Sequence, residues 1–280
     1  MQNVKWVAAS YTNLHESETM KPEHVALNVP DPLAMVEWYK QNLHMTVKRA
    51  GGPPTHTTFI ADVSGNIMME LFCNTNFPML DLKALHPMTF HLAFMTESVA
   101  GVRDALLKAG ATVAEDVTRA ATGDEILMMR DPWGFSLQFI RRAEPMLPPR
   151  ELRPEHVAFN VVDSRIRAAW YQSELGLTAK RKGDAPGYGF FLADAGEHMM
   201  LEFYQNAQHP VLDLPNVSYM SVHLAFMVTD IVAAKEKLLA KGATVAEDIS
   251  TTPSGDHVLM MRDPWGLSIQ LAKRVTSMLE

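Results

Sequence analysis

The sequence predicts an α+β protein assembled from four βαβββ modules, and three observations carry that prediction. MMRDPWGFSLQF at 128–139 returns as MMRDPWGLSIQL at 260–271. PEHVALNV from Pro22 returns as PEHVAFNV from Pro154, and GATVAED from Gly110 returns from Gly242, so the offset is 132 residues at both places. A shallower repeat lies inside each half: HVALN at 24 resembles HLAFM at 91, and HVAFN at 156 resembles HLAFM at 223. A module of this size buries its own apolar face poorly, which predicts that modules pair.

Each module opens on a strand. His24-Val25-Ala26-Leu27-Asn28-Val29 alternates with the period of a strand that has one buried face. A helix follows. DPLAMVEWYKQNL offers Asp31 as N-cap and Pro32 as first helical residue, and DSRIRAAWYQSELG offers Asp163 as cap and Gly176 as stop. The helices SVAGVRDALLKAG and TDIVAAKEKLLAKG run to Gly110 and Gly242, residues that tolerate a left-handed terminus. Shorter alternating runs come next, such as THTTFIADVSGN and IMMELFC, with a Gly-Asn turn between them. In DPWG, Asp131, Pro132 and Gly134 suit a tight turn between the strands EILMM and FSLQF. The turn accounts for most of the repeated motif and leaves Gln138 and Gln270 unexplained.

Composition narrows the class. Of 280 residues, 47% are hydrophobic and 20% charged, a balance that belongs to folded globular chains. A net charge of −7 argues against nucleic acid or an anionic membrane as partner. The single cysteine, Cys73, excludes an internal disulfide and a Cys-rich zinc site. No apolar leader opens the chain and no window is long enough to span a bilayer. A cytoplasmic monomer or homodimer that binds a small molecule is the expectation. Residues 1–21 form an extension, 22–143 and 153–275 two domains, and 144–152 a Pro-rich linker.

Alternation assigns the faces. Val25, Leu27 and Val29 form the apolar face of the first strand, leaving His24 on the concave one. The same reasoning gives Glu70, His91 and Gln138, then His156, Glu202, His223 and Gln270. Each odd module therefore has a His on its first strand and a Glu on its last, and each even module a His and a Gln. A buried Glu requires a partner, and four convergent N and O donors describe a cation site. Two imidazoles, a carboxylate and an amide oxygen suit Zn, Ni, Co, Mn or Fe(II) better than Mg or Ca. A single such histidine would read as an ordinary core residue; four in register, matched by four polar residues on partner strands, leave the packed-core reading and the cation site both open.

HVALNV, MELF, HLAFM and DPWGFSLQF together resemble the vicinal oxygen chelate superfamily, which includes glyoxalase I, bleomycin-resistance proteins and extradiol dioxygenases. The resemblance spans Pro22 to about Lys273 and implies two glyoxalase-like domains. It also implies metal ligands at His24, Glu70, His91, Gln138, His156, Glu202, His223 and Gln270. Many enzymes of the family carry glutamate where Gln138 and Gln270 stand, and glutamine cannot act as a base. Glu70 and Glu202 remain as candidate bases for lyase or isomerase chemistry on a metal-chelated, oxygenated metabolite. Met-Met-Arg before the Asp-Pro turn, with no tyrosine there, disfavours an extradiol dioxygenase. The alternative is a non-catalytic binder of the bleomycin-resistance kind, with walls from Met68-Met69, Met128-Met129, Met199-Met200 and Met260-Met261. Trp38, Tyr39, Trp170 and Tyr171 read as helix packing, and Trp133 and Trp265 as pocket rim or edge cover. Two pairings stay open. Modules within a half would unite His24, Glu70, His91 and Gln138; modules across halves would unite His24, Glu70, His223 and Gln270.

Overall fold

In the computed structural model, residues 20–62, 65 and 68–279 are described. Most of the predicted N-terminal extension, including HESE, and part of the predicted Gly-Asn turn lie outside them. The first module is β1 (Lys21–Asn28), α1 (Pro32–Leu43), β2 (Thr46–Ala50), β3 (Thr58–Ala61) and β4 (Met68–Phe72). The second is β5 (Phe90–Met95), α2 (Val99–Lys108), β6 (Thr112–Arg119), β7 (Glu125–Arg130) and β8 (Ser136–Arg141). The third is β9 (Pro154–Asn160), α3 (Ser164–Leu175), β10 (Thr178–Lys182), β11 (Phe190–Ala193) and β12 (Met200–Tyr204). The fourth is β13 (Val222–Met227), α4 (Ile231–Leu239), β14 (Thr244–Thr251), β15 (His257–Arg262) and β16 (Ser268–Lys273). The βαβββ order predicted from the repeats is present four times.

Helix boundaries follow their caps. Asp31 accepts from the Ala34 N–H at 3.0 Å, and Asp163 accepts from the N–H groups of Arg165 and Ile166. Gly176, at φ 73°, ends α3 in the left-handed conformation that glycine adopts without strain. No helix of the described residues is long and apolar enough to cross a membrane.

The strands form two eight-stranded mixed sheets. One runs β14-β15-β16-β13-β1-β4-β3-β2 and the other β10-β11-β12-β9-β5-β8-β7-β6. Modules therefore pair first with fourth and second with third, across the halves of the sequence repeat. The segments 73–89 and 205–221 cross between the sheets. Arg130 and Arg262, just before the two DPWG turns, hold these crossings. Arg130 donates to the carbonyls of Leu82, Leu85 and Gly134, and Arg262 to those of Leu214, Val217 and Gly266.

The apolar faces of both sheets contribute to a single core, which includes Val25 and Leu27, Leu92 and Phe94, Val157 and Phe159, and Leu224 and Phe226. Successive modules are tied on this side. The Tyr39 hydroxyl in α1 donates to the buried Asp131 at 3.1 Å, and Tyr171 in α3 donates to Asp263 at 3.2 Å. Trp38 and Trp170 donate to the carbonyls of Ala109 and Lys241, so the predicted helix packing includes specific polar contacts. Each half is thus joined through its helices while each sheet is completed by the other half. The histidine-bearing faces are left pointing away from the common core.

Candidate metal centres

Register aligns the polar side chains on the outer face of each sheet. In the first sheet β1 and β13 are antiparallel, with His24 opposite Ala225 and Ala26 opposite His223. The parallel neighbours add Glu70 opposite Ala26 and Gln270 opposite Ala225. Two rows result: Glu70–Ala26–His223 and His24–Ala225–Gln270. The second sheet repeats them as Glu202–Ala158–His91 and His156–Ala93–Gln138. The alanines are buried and present only a methyl group between the larger side chains, which leaves room above each row.

Side chains two strands apart meet over those alanines. The Glu70 carboxylate oxygen Oε2 lies 3.0 Å from His24 Nε2 and 3.4 Å from His223 Nε2. Glu202 Oε2 lies 3.2 Å from His156 Nε2. One ligand atom from each of His24, Glu70 and His223 falls within 4.8 Å of the others, and the same holds for His91, His156 and Glu202. The spacing that carries Glu70 to His223 across Ala26 applies equally to Gln270 and His24 across Ala225. Of the two pairings open in the sequence, the structure brings together the one across halves. His91 and Gln138 share no sheet with His24 and Glu70.

These atoms are close without being hydrogen-bonded to one another. His24 Nε2, Glu70 Oε2 and His156 Nε2 are buried with no aligned partner, and His91 and His223 turn one edge of each buried ring to the backbone of Pro87 and Tyr219 and the other to the cluster. Leaving such groups unpaired is costly, and several converging on one point fit a cation that satisfies them together. Two imidazoles, a carboxylate and an amide oxygen suit a divalent transition ion. Gln270 lines the same cleft as Glu70, and Gln138 the same cleft as His91 and Glu202, each in a particular orientation. Gln138 Nε2 and Gln270 Nε2 each lie 3.5 Å from a sulfur, of Met128 and of Met260. With nitrogen on sulfur, the amide oxygen is the end left for a ligand.

The two histidines of each centre differ. Behind His24, Nδ1 meets Glu23 Oε2 at 2.9 Å, and behind His156, Nδ1 meets Glu155 Oε2 at 2.8 Å. Glu23 is paired with Arg274 and Glu155 with Arg142; these arginines continue to Asp256 and Asp124. Burial alone would raise the Glu23 carboxyl, but Arg274 and His24 outweigh it and hold it down at about 2. Glu155 is likewise held at about 2 by His156 and Arg142. Burial also opposes charge on His24 and His156, yet carboxylates on both sides raise their pKa. For His223 burial wins despite Glu70, and its pKa is lowered. For His91 burial and the neighbouring His156 press it down to about 3. Glu70 is drawn below the usual carboxylate range by His223 and His24 in spite of burial, so it stands ionised.

The acidic partners Glu23 and Glu155 escape strand alternation. Pairing shifts between Pro22 and His24, and between Pro154 and His156, so each glutamate occupies a β-bulge. The bulge turns it toward the same side as the histidine that follows. The signal available in the sequence was Pro-Glu-His at 22–24 and 154–156, with no acid preceding His91 or His223. Three further histidines have partners away from the centres. His86 and His209 stack at 4.3 Å, and His198 pairs with Asp194.

A cleft opens over each centre. The first, of about 520 Å³, is lined by Phe59, Glu70, Gln270 and Arg274 among others. The second, of about 330 Å³, is lined by His91, Gln138, Phe191 and Glu202, with Tyr204 at its side. Phe59 and Phe191 set their rings edge-on to His24 and His156 at 5.2 Å, making one apolar wall in each.

Two family models match the chain. One, described as the glyoxalase/bleomycin resistance protein/dioxygenase superfamily, matches residues 153–271; the other, a glyoxalase-like domain, matches residues 24–140. No protein of curated function matches the sequence. Among solved structures, glyoxalase I from Zea mays is 20% identical, with a TM-score of 0.73 over 91% of this chain and 92% of that one. A putative dioxygenase from Bacillus subtilis subsp. subtilis str. 168 is 12% identical, with a TM-score of 0.65 over 94% and 87%. Identities this low speak for a shared fold alone.

Proposed function

The chain belongs to the glyoxalase/bleomycin resistance protein/dioxygenase superfamily, and from that premise we propose a metal-dependent enzyme with lyase or isomerase chemistry on a small, oxygenated metabolite. The observation that carries this reading is the convergence, in each sheet, of two buried imidazoles and a carboxylate whose ligand atoms lie within 4.8 Å of one another. One site is formed by His24, Glu70, His223 and Gln270, the other by His91, Gln138, His156 and Glu202. A divalent ion held by these residues would supply Lewis acidity to an oxygenated substrate.

The protein's own residues do the rest. Glu70 and Glu202 are the only carboxylates of the two donor sets, and glutamine cannot accept a proton at ordinary pH, so these glutamates are the proposed bases. Their side chains keep 12% and 15% exposure, which makes them reachable from the clefts. Phe59 and Phe191 restrict water beside the imidazoles. The larger cleft has the volume of a small-metabolite site.

One observation favours a second reading, non-catalytic binding of a small molecule: each three-residue cluster carries a single carboxylate, Glu70 or Glu202. Elemental mass spectrometry separates the two readings. Protein purified without added metal, then chelated and reloaded with Zn, Mn, Ni or Fe(II), is expected to hold two equivalents, one in each centre. Protein that takes up none of these ions would end the enzyme reading and leave the binder.

A further inference from the structure

A cavity of about 460 Å³ lies away from both centres, on the helix side of the third module. Its walls include Val162, Val211, Leu214 and Trp265, and Val162 and Val211 stay 79% and 42% exposed at its mouth. Arg167, one turn into α3, is the basic residue within it. Its guanidinium is stacked between the rings of Phe203 and Trp265, at 5.6 and 5.1 Å. The side chain is only 5% exposed.

A buried arginine demands an explanation. Its Nη1 is sealed beside Asp263 Oδ2 at 3.7 Å, too far for a hydrogen bond. Nε and Nη2 are not among the sealed atoms and have no hydrogen-bond partner among the described residues, so they are the edge that the cavity reaches. Neutralising Asp263 is not a requirement of the fold. At the same place in the first half, 132 residues earlier, stands Met35, fully buried, and Asp131 does without a cation there. The acids at the rim are engaged: Asp163 caps α3, and Asp213 accepts from Asn216.

We propose that this cavity is a separate ligand site for a small monocarboxylate with an apolar body, its carboxylate recognised by Arg167. An apolar chamber with one donor-bearing cation at its base is the arrangement that selects an amphiphilic anion over a neutral analogue. Arg167 is absent from the matching position of the first half, so the site belongs to one half only.

Calorimetric titration of the chelated full chain with octanoate and with 1-octanol tests this. Octanoate is expected to saturate at one per chain and to bind at least about tenfold more tightly than the alcohol, the worth of a charged hydrogen bond. Arg167→Met, which installs the first half's residue, should weaken octanoate by at least about tenfold and leave the alcohol nearly unchanged. His24→Ala/His156→Ala should bind octanoate as the unaltered chain does. Failure to saturate, equal binding of acid and alcohol, unchanged binding by Arg167→Met, or loss in the double histidine variant would each overturn the assignment. Should Arg167→Met not fold, the comparison of acid and alcohol on the unaltered chain still decides.

Discussion

Glu23 Oε2 lies 2.9 Å from Nδ1 of His24, while Nε2 of the same ring faces Glu70 Oε2 at 3.0 Å. A proton kept on Nδ1 leaves the Nε2 lone pair for a metal, and the carboxylate behind the ring raises its basicity. Glu155 does the same for His156. Glu23→Gln is therefore expected to lower metal affinity at the first centre by about 10–100-fold while sparing the second. It also removes one of the two carboxylates that pair with the buried Arg274 and leaves Asp256 as the other, at a cost on the order of 1–3 kcal/mol to folding. Competition with a chromophoric chelator, read beside urea unfolding, checks both; unchanged affinity would remove Glu23 from the account.

The glutamines set a limit on charge in each centre. Gln270→Glu places a second carboxylate in the cleft that Glu70 already lines. In the metal-free protein, like charges at close range repel, and the melting temperature should fall by about 2–4 °C. With metal the sign reverses, and affinity should rise by about tenfold or more. A variant with weaker metal binding would mean that position 270 does not face the ion.

Asp131 gives a pH dependence unconnected with metal. Burial pushes its carboxyl up to about 6, against the pull of the Phe135 and Trp133 N–H groups and the Tyr39 hydroxyl. The folded chain then binds this proton more tightly than the unfolded chain, whose value is near 3.8. Its contribution to stability is present below pH 3.8 and is lost as the pH rises to about 6. Asp131→Asn keeps an acceptor for the turn and does not titrate. Relative to the unaltered chain, it should gain about 2–3 kcal/mol between pH 4 and pH 7. Urea unfolding across that range would show a constant difference if Asp131 titrated normally.

Much of this was legible in the sequence because strands have a period of two. Val25 and Leu27 face the core and His24 faces outward, as alternation requires, and Asp31 and Gly176 mark helix ends through local chemistry. The partners of Glu70 were less accessible. Both sequence-allowed pairings satisfy the same periodicity, and the connectors after Cys73 and Arg141 do not distinguish them; only the pairing of β1 with β13 does. Glu23 was hidden for the opposite reason, since a bulge breaks the alternation that located everything else. Arg130 and Arg262 read as turn flanks, yet they clamp carbonyls about 45 residues away in sequence, a contact that no local pattern encodes.

The central claim is that each centre draws one histidine from each half of the chain. Metal stoichiometry in paired variants tests it most directly. The unaltered chain is expected to hold two equivalents. His24→Ala/His223→Ala should empty one centre and leave one equivalent, whereas His24→Ala/His91→Ala should damage both centres and leave almost none. The reverse order, with one equivalent retained by His24→Ala/His91→Ala and almost none by His24→Ala/His223→Ala, would contradict the account.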